Sequence, residues 1–178
     1  AAQYVLNKLS EREIIRLTSG SRHLPQEIAA ALTGRYNFVP YPAANIPRLG
    51  IPGVRFSDGP RGAVVGHSTA FPCSMARGAT FDPNLEKQVG HAIGAELSAH
   101  GANFFGGVCV NLLRHPAWGR AQETYGEDSL LLGEMGAALT RSVGKHTATC
   151  VKHFACNSME NSRFRVDVRI DEADLRDI

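Results

Sequence analysis

Between Val54 and Ile178, short apolar runs alternate with stretches of helical periodicity, and this rhythm constrains the fold more than any other feature of the chain. Strands separated by helices at this spacing predict β/α units and a parallel sheet. The strand candidates are Val54-Arg55-Phe56, Val108-Cys109-Val110 and Ala148-Thr149-Cys150-Val151. The last two are continuous rather than alternating, as expected of strands covered on both faces. Between the first two, Asp82 and Pro83 suit an N-cap and a first helical position. Leu85, Val89, Ile93 and Leu97 then recur on one helical face until His100-Gly101. A second helix is expected from Leu130 to Val143, with Leu131, Met135, Ala138 and Leu139 inward, and Asp171 is the expected N-cap of a third.

Upstream, Ser10 and Glu13 form an S-x-x-E capping box ahead of Ile14, Ile15 and Leu17, predicting a short helix that ends at Ser19-Gly20. The Pro- and Gly-punctuated stretch from Pro40 to Gly53 is expected to be extended and irregular. Three, at most four, β/α units are visible. An eight-unit barrel typically needs about 250 residues, and this chain has 178. The pattern therefore fits either a small open α/β sheet or part of a barrel.

Lys plus Arg number 19 against 17 Asp plus Glu, a net charge of +2 that supplies no field for nucleic acid. No apolar run is long enough to span a membrane, and the first residues lack the basic, apolar, small-residue order of an export signal. Cys73, Cys109, Cys150 and Cys156 show no C-x-x-C pair, and the seven histidines show no H-E-x-x-H or H-x-H. Buried thiols beside strands, with no metal and no cofactor, are the expectation.

The polar residues that look out of place follow the predicted strands. Asp58 follows the first, Arg114, Trp118, Arg120 and Glu123 follow the second, and Lys152, His153, Asn157, Glu160 and Arg163 follow the third. In a parallel α/β sheet, the carboxyl ends of the strands are where ligands bind. Each group also has a plainer use. Asp58 before Gly-Pro can close an Asx turn. Arg120, Glu123, Glu127 and Asp128 can form a solvated, salt-bridged loop. Trp118 can be core or can stack on a sugar ring. Lys152 and His153 are harder to explain structurally, because a buried run passing straight into Lys and His puts costly groups at the core's edge.

These motifs, in order, resemble the N-terminal half of the catalytic barrel of family 3 glycoside hydrolases of the β-glucosidase type. The resembling residues are Leu49-Gly50-Ile51-Pro52, Ser57-Asp58-Gly59-Pro60-Arg61-Gly62, Phe71-Pro72, Ala79-Thr80-Phe81-Asp82, the run from Asn111 to Asp128, Val151-Lys152-His153-Phe154-Ala155-Cys156-Asn157, and Arg163. The resemblance implies an N-terminal helix and connection over 1–52 and the first part of a (β/α) barrel over 53–178, incomplete at its C-terminus. It also implies a retaining exo-acting β-glycosidase. Asp58 would grip hydroxyls of the terminal sugar, and Arg120, Lys152, His153 and Arg163 would converge on that sugar. Asp58 would balance Lys152 and Arg120, while Glu123, Glu127 and Glu160 would pair with Arg120 and Arg163.

The departures from the family pattern matter as much. The family's nucleophile is an aspartate on a later strand, and Asp167, Asp171, Asp174 and Asp177 do not match its context. Its acid/base carboxylate comes from a second domain. No catalytic carboxylate is therefore expected in this chain, which would bind sugar weakly and hydrolyse nothing alone. The remaining barrel and the second α/β domain would be its partners, with no nucleic acid and no membrane. Two other readings stay open: a non-catalytic sugar-binding or interaction fragment, and an unrelated small α/β enzyme that uses Lys152 and His153.

Overall fold

Residues 2–19, 32 and 37–178 are described by the computed structural model. Two short helices open the chain, α1 (Ala2–Leu6) and α2 (Glu11–Leu17). The second carries the expected capping box. Ser10 Oγ accepts the Glu13 N–H, and the Glu13 carboxylate accepts the Ser10 N–H at 2.9 Å. Two of the helix's orphan donors are thereby satisfied. Helix α2 ends at Leu17, before Ser19-Gly20, and Gly20 itself lies outside the described residues. A bidentate bond from Arg48 to Glu13 ties this helix to the connection that follows.

Four strands form one sheet in the order β1 (Tyr41–Ala43), β2 (Val54–Asp58), β3 (Phe104–Cys109) and β4 (Ala148–Lys152). Strands β2, β3 and β4 are parallel. After β2 come α3 (Ser74–Gly78) and α4 (Pro83–Ala99), and α5 (Ser129–Val143) joins β3 to β4. This is the expected partial (β/α) barrel. A last helix, α6 (Glu172–Asp177), follows Asp171 as expected, although the Asp171 side chain makes no capping bond.

The core lies where α4 and α5 cover β3. Ile93 and Leu97 from α4, Phe105 and Val108 from β3, and Leu139 and Val143 from α5 are fully buried. Each such side chain contributes about 1.5–3 kcal/mol on leaving water. The Asp82 cap is the one expected from the sequence, whereas the Asp128 cap is not. Asp82 Oδ1 accepts the N–H groups of Asn84 and Leu85, and Asp128 Oδ1 accepts that of Leu131. Asp128 is therefore the N-cap of α5 rather than part of a salt-bridged loop. On α5 Leu132 is buried, whereas Leu131, expected inward, is only partly so.

Three expectations need correction. First, the stretch from Pro40 to Gly53 is not wholly irregular, because Tyr41–Ala43 pairs antiparallel with β2, Tyr41 opposite Phe56 and Ala43 opposite Val54. An edge strand tolerates Pro42, whose missing N–H leaves no ladder bond unmade. The 52/53 boundary falls between these two paired strands. Second, β4 is not buried. Val151 is 52% exposed, since β3 pairs with one side of β4 and no described strand pairs with the other. Third, only Cys109 is a buried thiol, and Cys73, Cys150 and Cys156 are half-buried. Among the described residues, no helix is long and apolar enough to cross a membrane.

Candidate functional site

The site is built at the carboxyl ends of the three parallel strands. Asp58 is the last residue of β2 and Lys152 the last of β4, with β3 between them. Neighbouring strands stand about 4.8 Å apart, so residues two strands apart lie roughly 10 Å apart along the backbone. A lysine side chain spans that gap, and Lys152 Nζ meets Asp58 Oδ1 at 2.7 Å. The turn after β2 comes in close beside β3. A side chain at Gly107 would strike the Gly59 carbonyl and the Phe105 ring, so glycine at this position lets the Asp58 turn approach the strand.

Asn111, just beyond β3, organises the next part. Its Oδ1 accepts the His153 backbone N–H at 3.0 Å, the His153 ring at Nδ1 at 2.8 Å and the Cys109 thiol at 3.3 Å, while its Nδ2 donates to the Asn157 carbonyl at 2.8 Å. An oxygen that accepts from a backbone N–H requires the proton on His153 Nδ1, which leaves Nε2 as an acceptor. Burial pushes the His153 pKa down, and the charges of Arg120 and Lys152 push it further. The ring is thus held neutral beside two cations.

Glu160 is the second hub. Trp118 Nε1–H and Asn157 Nδ2 each donate to its Oε1 at 3.0 Å, Arg163 Nη1 lies 3.0 Å from Oε2, and Arg120 Nη1 lies 3.9 Å from Oε1. Burial alone would raise the Glu160 pKa, yet these donors and cations outweigh it and the net shift is downward. A general acid needs the opposite shift. Arg120 is gripped by Glu123 through two bonds of 2.7 Å, across a 3₁₀ turn (Ala121–Glu123) in which residues three apart eclipse.

Of the five residues singled out from sequence, Asp58 and Lys152 are in direct contact although 94 positions apart. His153 adjoins Lys152 in the chain, and Arg120 and Arg163 meet at Glu160. Two details differ from expectation. Arg120 is balanced by Glu123 and Glu160 rather than by Asp58, because the 3₁₀ turn carries a carboxylate closer. Glu127 is exposed and enters no ion pair among the described residues. Trp118 is buried with its N–H on Glu160. Glu160 pairs with Arg120 and Arg163 as expected, whereas the organising role of Asn111 was not legible, since an amide that collects three donors leaves no spacing signature. Asp58, Glu123 and Glu160 offset Lys152, Arg120 and Arg163 in charge, as a site for a neutral ligand requires.

Beside this cluster lies an open groove of about 740 Å³ between the carboxyl ends of β3 and β4 and the segments that follow them. Its walls include Val110, Leu112, Val151, Met159, Val168 and Ile170, as well as Lys152 and His153. Asp58, Arg120 and Arg163 are not among them, so the groove and the polar cluster meet at Asn111, Lys152 and His153. Among the described residues, no group of three or more His, Cys, Asp or Glu could hold a metal ion.

Residues 35–178 match the family model described as the glycosyl hydrolase family 3 N terminal domain. The chain belongs to glycosyl hydrolase family 3. Among curated relatives, "Probable beta-glucosidase I" of Emericella nidulans is 38% identical over 142 residues, covering 76% of this chain and 17% of the relative. A family 3 β-glucosidase from Bifidobacterium adolescentis superposes with a TM-score of 0.80 at 30% identity, covering 96% of this chain and 23% of that one. β-Glucosidase 3B of Thermotoga neapolitana, in complex with glucose, gives 0.77 at 27% identity, covering 89% and 23%. The chain thus spans less than a quarter of the length of each relative. Family membership sets aside an unrelated α/β enzyme as an explanation of Lys152 and His153.

Proposed function

We propose that this chain is the sugar-gripping part of a retaining, exo-acting β-glycosidase that removes terminal non-reducing β-D-glucosyl residues. The observation that carries the reading is the Asp58–Lys152 contact at the carboxyl ends of β2 and β4, beside the neutral His153. Asp58 Oδ1 is occupied by Lys152 and by the Gly59 N–H at 2.9 Å, which leaves Oδ2 to accept sugar hydroxyls. His153 Nε2 can accept another. Lys152, Arg120 and Arg163 can donate, and bonds that tighten as the sugar gains oxocarbenium character lower the barrier. The glucose bound to the Thermotoga neapolitana relative supports a sugar as the ligand.

Retaining hydrolysis needs two carboxyl groups about 5–5.5 Å apart across the scissile bond. Glu123 and Glu160 are already committed to arginines, and the Glu160 shift is the wrong one for an acid. By resemblance to family 3 enzymes, the nucleophile then belongs to the remainder of the barrel and the acid/base to a second α/β domain, which would cover the exposed β4 edge and the apolar groove. The test is hydrolysis of 4-nitrophenyl β-D-glucoside by the full-length polypeptide, with the anomeric product followed by NMR. β-Glucose is expected first, and residues 1–178 alone should turn over nothing. Initial release of α-glucose, or turnover by the isolated chain, would overturn the assignment.

A further inference from the structure

Arg77 and Glu86 are 2% and 0% exposed and form the one fully buried ion pair among the described residues. Withdrawing two charges from water offsets most of what their attraction returns, so such a pair is a weak source of stability. It is a strong source of geometry. Arg77 donates from Nε to Glu86 Oε2 at 2.8 Å, from Nη2 to Glu86 Oε1 at 3.1 Å and to the Pro60 carbonyl at 2.9 Å, and from Nη1 to the Pro72 carbonyl at 2.5 Å. Pro60 stands two residues after Asp58, within the turn closed by Gly62 N–H on the Gly59 carbonyl and Val64 N–H on the Asp58 carbonyl.

The other end of the network reaches the loop after β3. Tyr125 O–H donates to Glu86 Oε1 at 2.7 Å, and burial raises the phenol's pKa, so the donor keeps its proton. Tyr125 sits two residues beyond Glu123. Its neighbours fasten this loop at both ends, since the Thr124 hydroxyl donates to the Asn111 carbonyl and the Gly126 carbonyl accepts Leu113 N–H at 3.1 Å. Gly78, the residue after Arg77, faces the Tyr125 carbonyl with no room for a side chain, so α3 meets that loop backbone to backbone.

We infer that Arg77, Glu86 and Tyr125 form a positioning network that sets the spacing between the Asp58 turn and the loop carrying Asn111, Arg120 and Glu123, so that both grip one sugar. None of the three touches the candidate site, and the inference rests on the sugar-site reading above. A misplacement of about 1 Å in a positioned group lowers turnover about 100-fold.

The test uses the full-length hydrolase with two variants. Tyr125→Phe keeps the ring and loses one hydroxyl, while the double change Arg77→Met with Glu86→Leu removes both charges at similar volume. Thermal melting verifies folding, and aryl β-glucoside is compared with its monodeoxy analogues. The hydroxyl whose deletion slows the wild type but not Asp58→Ala marks the one held by Asp58. In both network variants kcat/KM should fall about 10- to 100-fold, and the penalty for deleting that hydroxyl should shrink. Equal losses on every analogue, or unchanged kinetics in either folded variant, would overturn the inference while leaving the sugar site standing. A wild type that turns over no β-glucoside, or shows no Asp58-dependent hydroxyl, would overturn the site itself and the inference with it.

Discussion

Replacing Asp58 by Ala separates the two uses an aspartate can have at the end of β2. Its side chain is 52% exposed and that of Lys152 is 13% exposed, so the pair is screened by solvent on the aspartate side. An ion pair of this exposure is worth at most about 1 kcal/mol. The turn loses one bond, from the Gly59 N–H to Oδ1, and the Val64 N–H bond to the Asp58 carbonyl keeps it closed. Thermal stability should therefore fall by no more than about 2 kcal/mol. The catalytic loss should be larger. Oδ2 can accept one or two sugar hydroxyls, and bonds to a charged acceptor are worth about 1.5–3 kcal/mol each, so kcat/KM should drop roughly 10- to 10⁴-fold. Release of nitrophenol from aryl β-glucosides by the full-length protein reads this directly. Asp58→Asn preserves the acceptor for Gly59 and should spare the turn while still losing activity. Full turnover in a folded Asp58→Ala protein would reduce Asp58 to a turn former and leave the site without its first ligand.

Because the His153 pKa is lowered, the ring stays neutral below the ordinary histidine value of about 6.5. Glucose affinity, measured by calorimetry on the full-length protein, should be flat from pH 8 to 6.5 and fall only at lower pH, when protonation turns the Nε2 acceptor into a donor beside Arg120 and Lys152. An inflection at or above pH 6.5 that disappears in His153→Gln would contradict this. Glu160→Gln keeps the shape but not the charge that holds Arg120 and Arg163, and it should lower kcat/KM about 10- to 100-fold with little change in melting temperature; wild-type kinetics would mean the arginines need no anchor. Ile93→Ala, at a fully buried position between α4 and β3, should destabilise the fold by about 2–5 kcal/mol in denaturant titrations, and a loss under 1 kcal/mol would mean the helices repack.

Helix α4 was legible from its local Asp82 cap and α5 from its apolar period, whereas the cap by Asp128, which bonds an N–H three residues ahead, falls in a stretch that reads as loop. Asp58 and Lys152 were legible as misplaced charges at strand ends. The start of β3 was not. The strand begins at Phe104 and includes Gly106 and Gly107, which weaken any strand signal. Their reason is non-local, since the Phe56 ring occupies the space a side chain at Gly106 would need. Exposure of β4 was hidden for a similar cause, because an apolar run states a preference for burial and only a neighbour can satisfy it. The role of Asn111 and the Trp118 bond to Glu160 were hidden because the partners lie as many as 46 residues away, although the pairing of Glu160 with Arg120 and Arg163 was expected.

The Lys152 side chain reaching over β3 to Asp58 also has a consequence in time. A contact closing a loop of 94 residues carries a large entropic penalty, and it cannot form until the strand it spans has docked between its neighbours. The helices and their local caps can form early, while the charged pair waits for the sheet. On the proposed reading the sugar grip is therefore a late event in folding, and a chain that has collapsed and become helical has not yet assembled it.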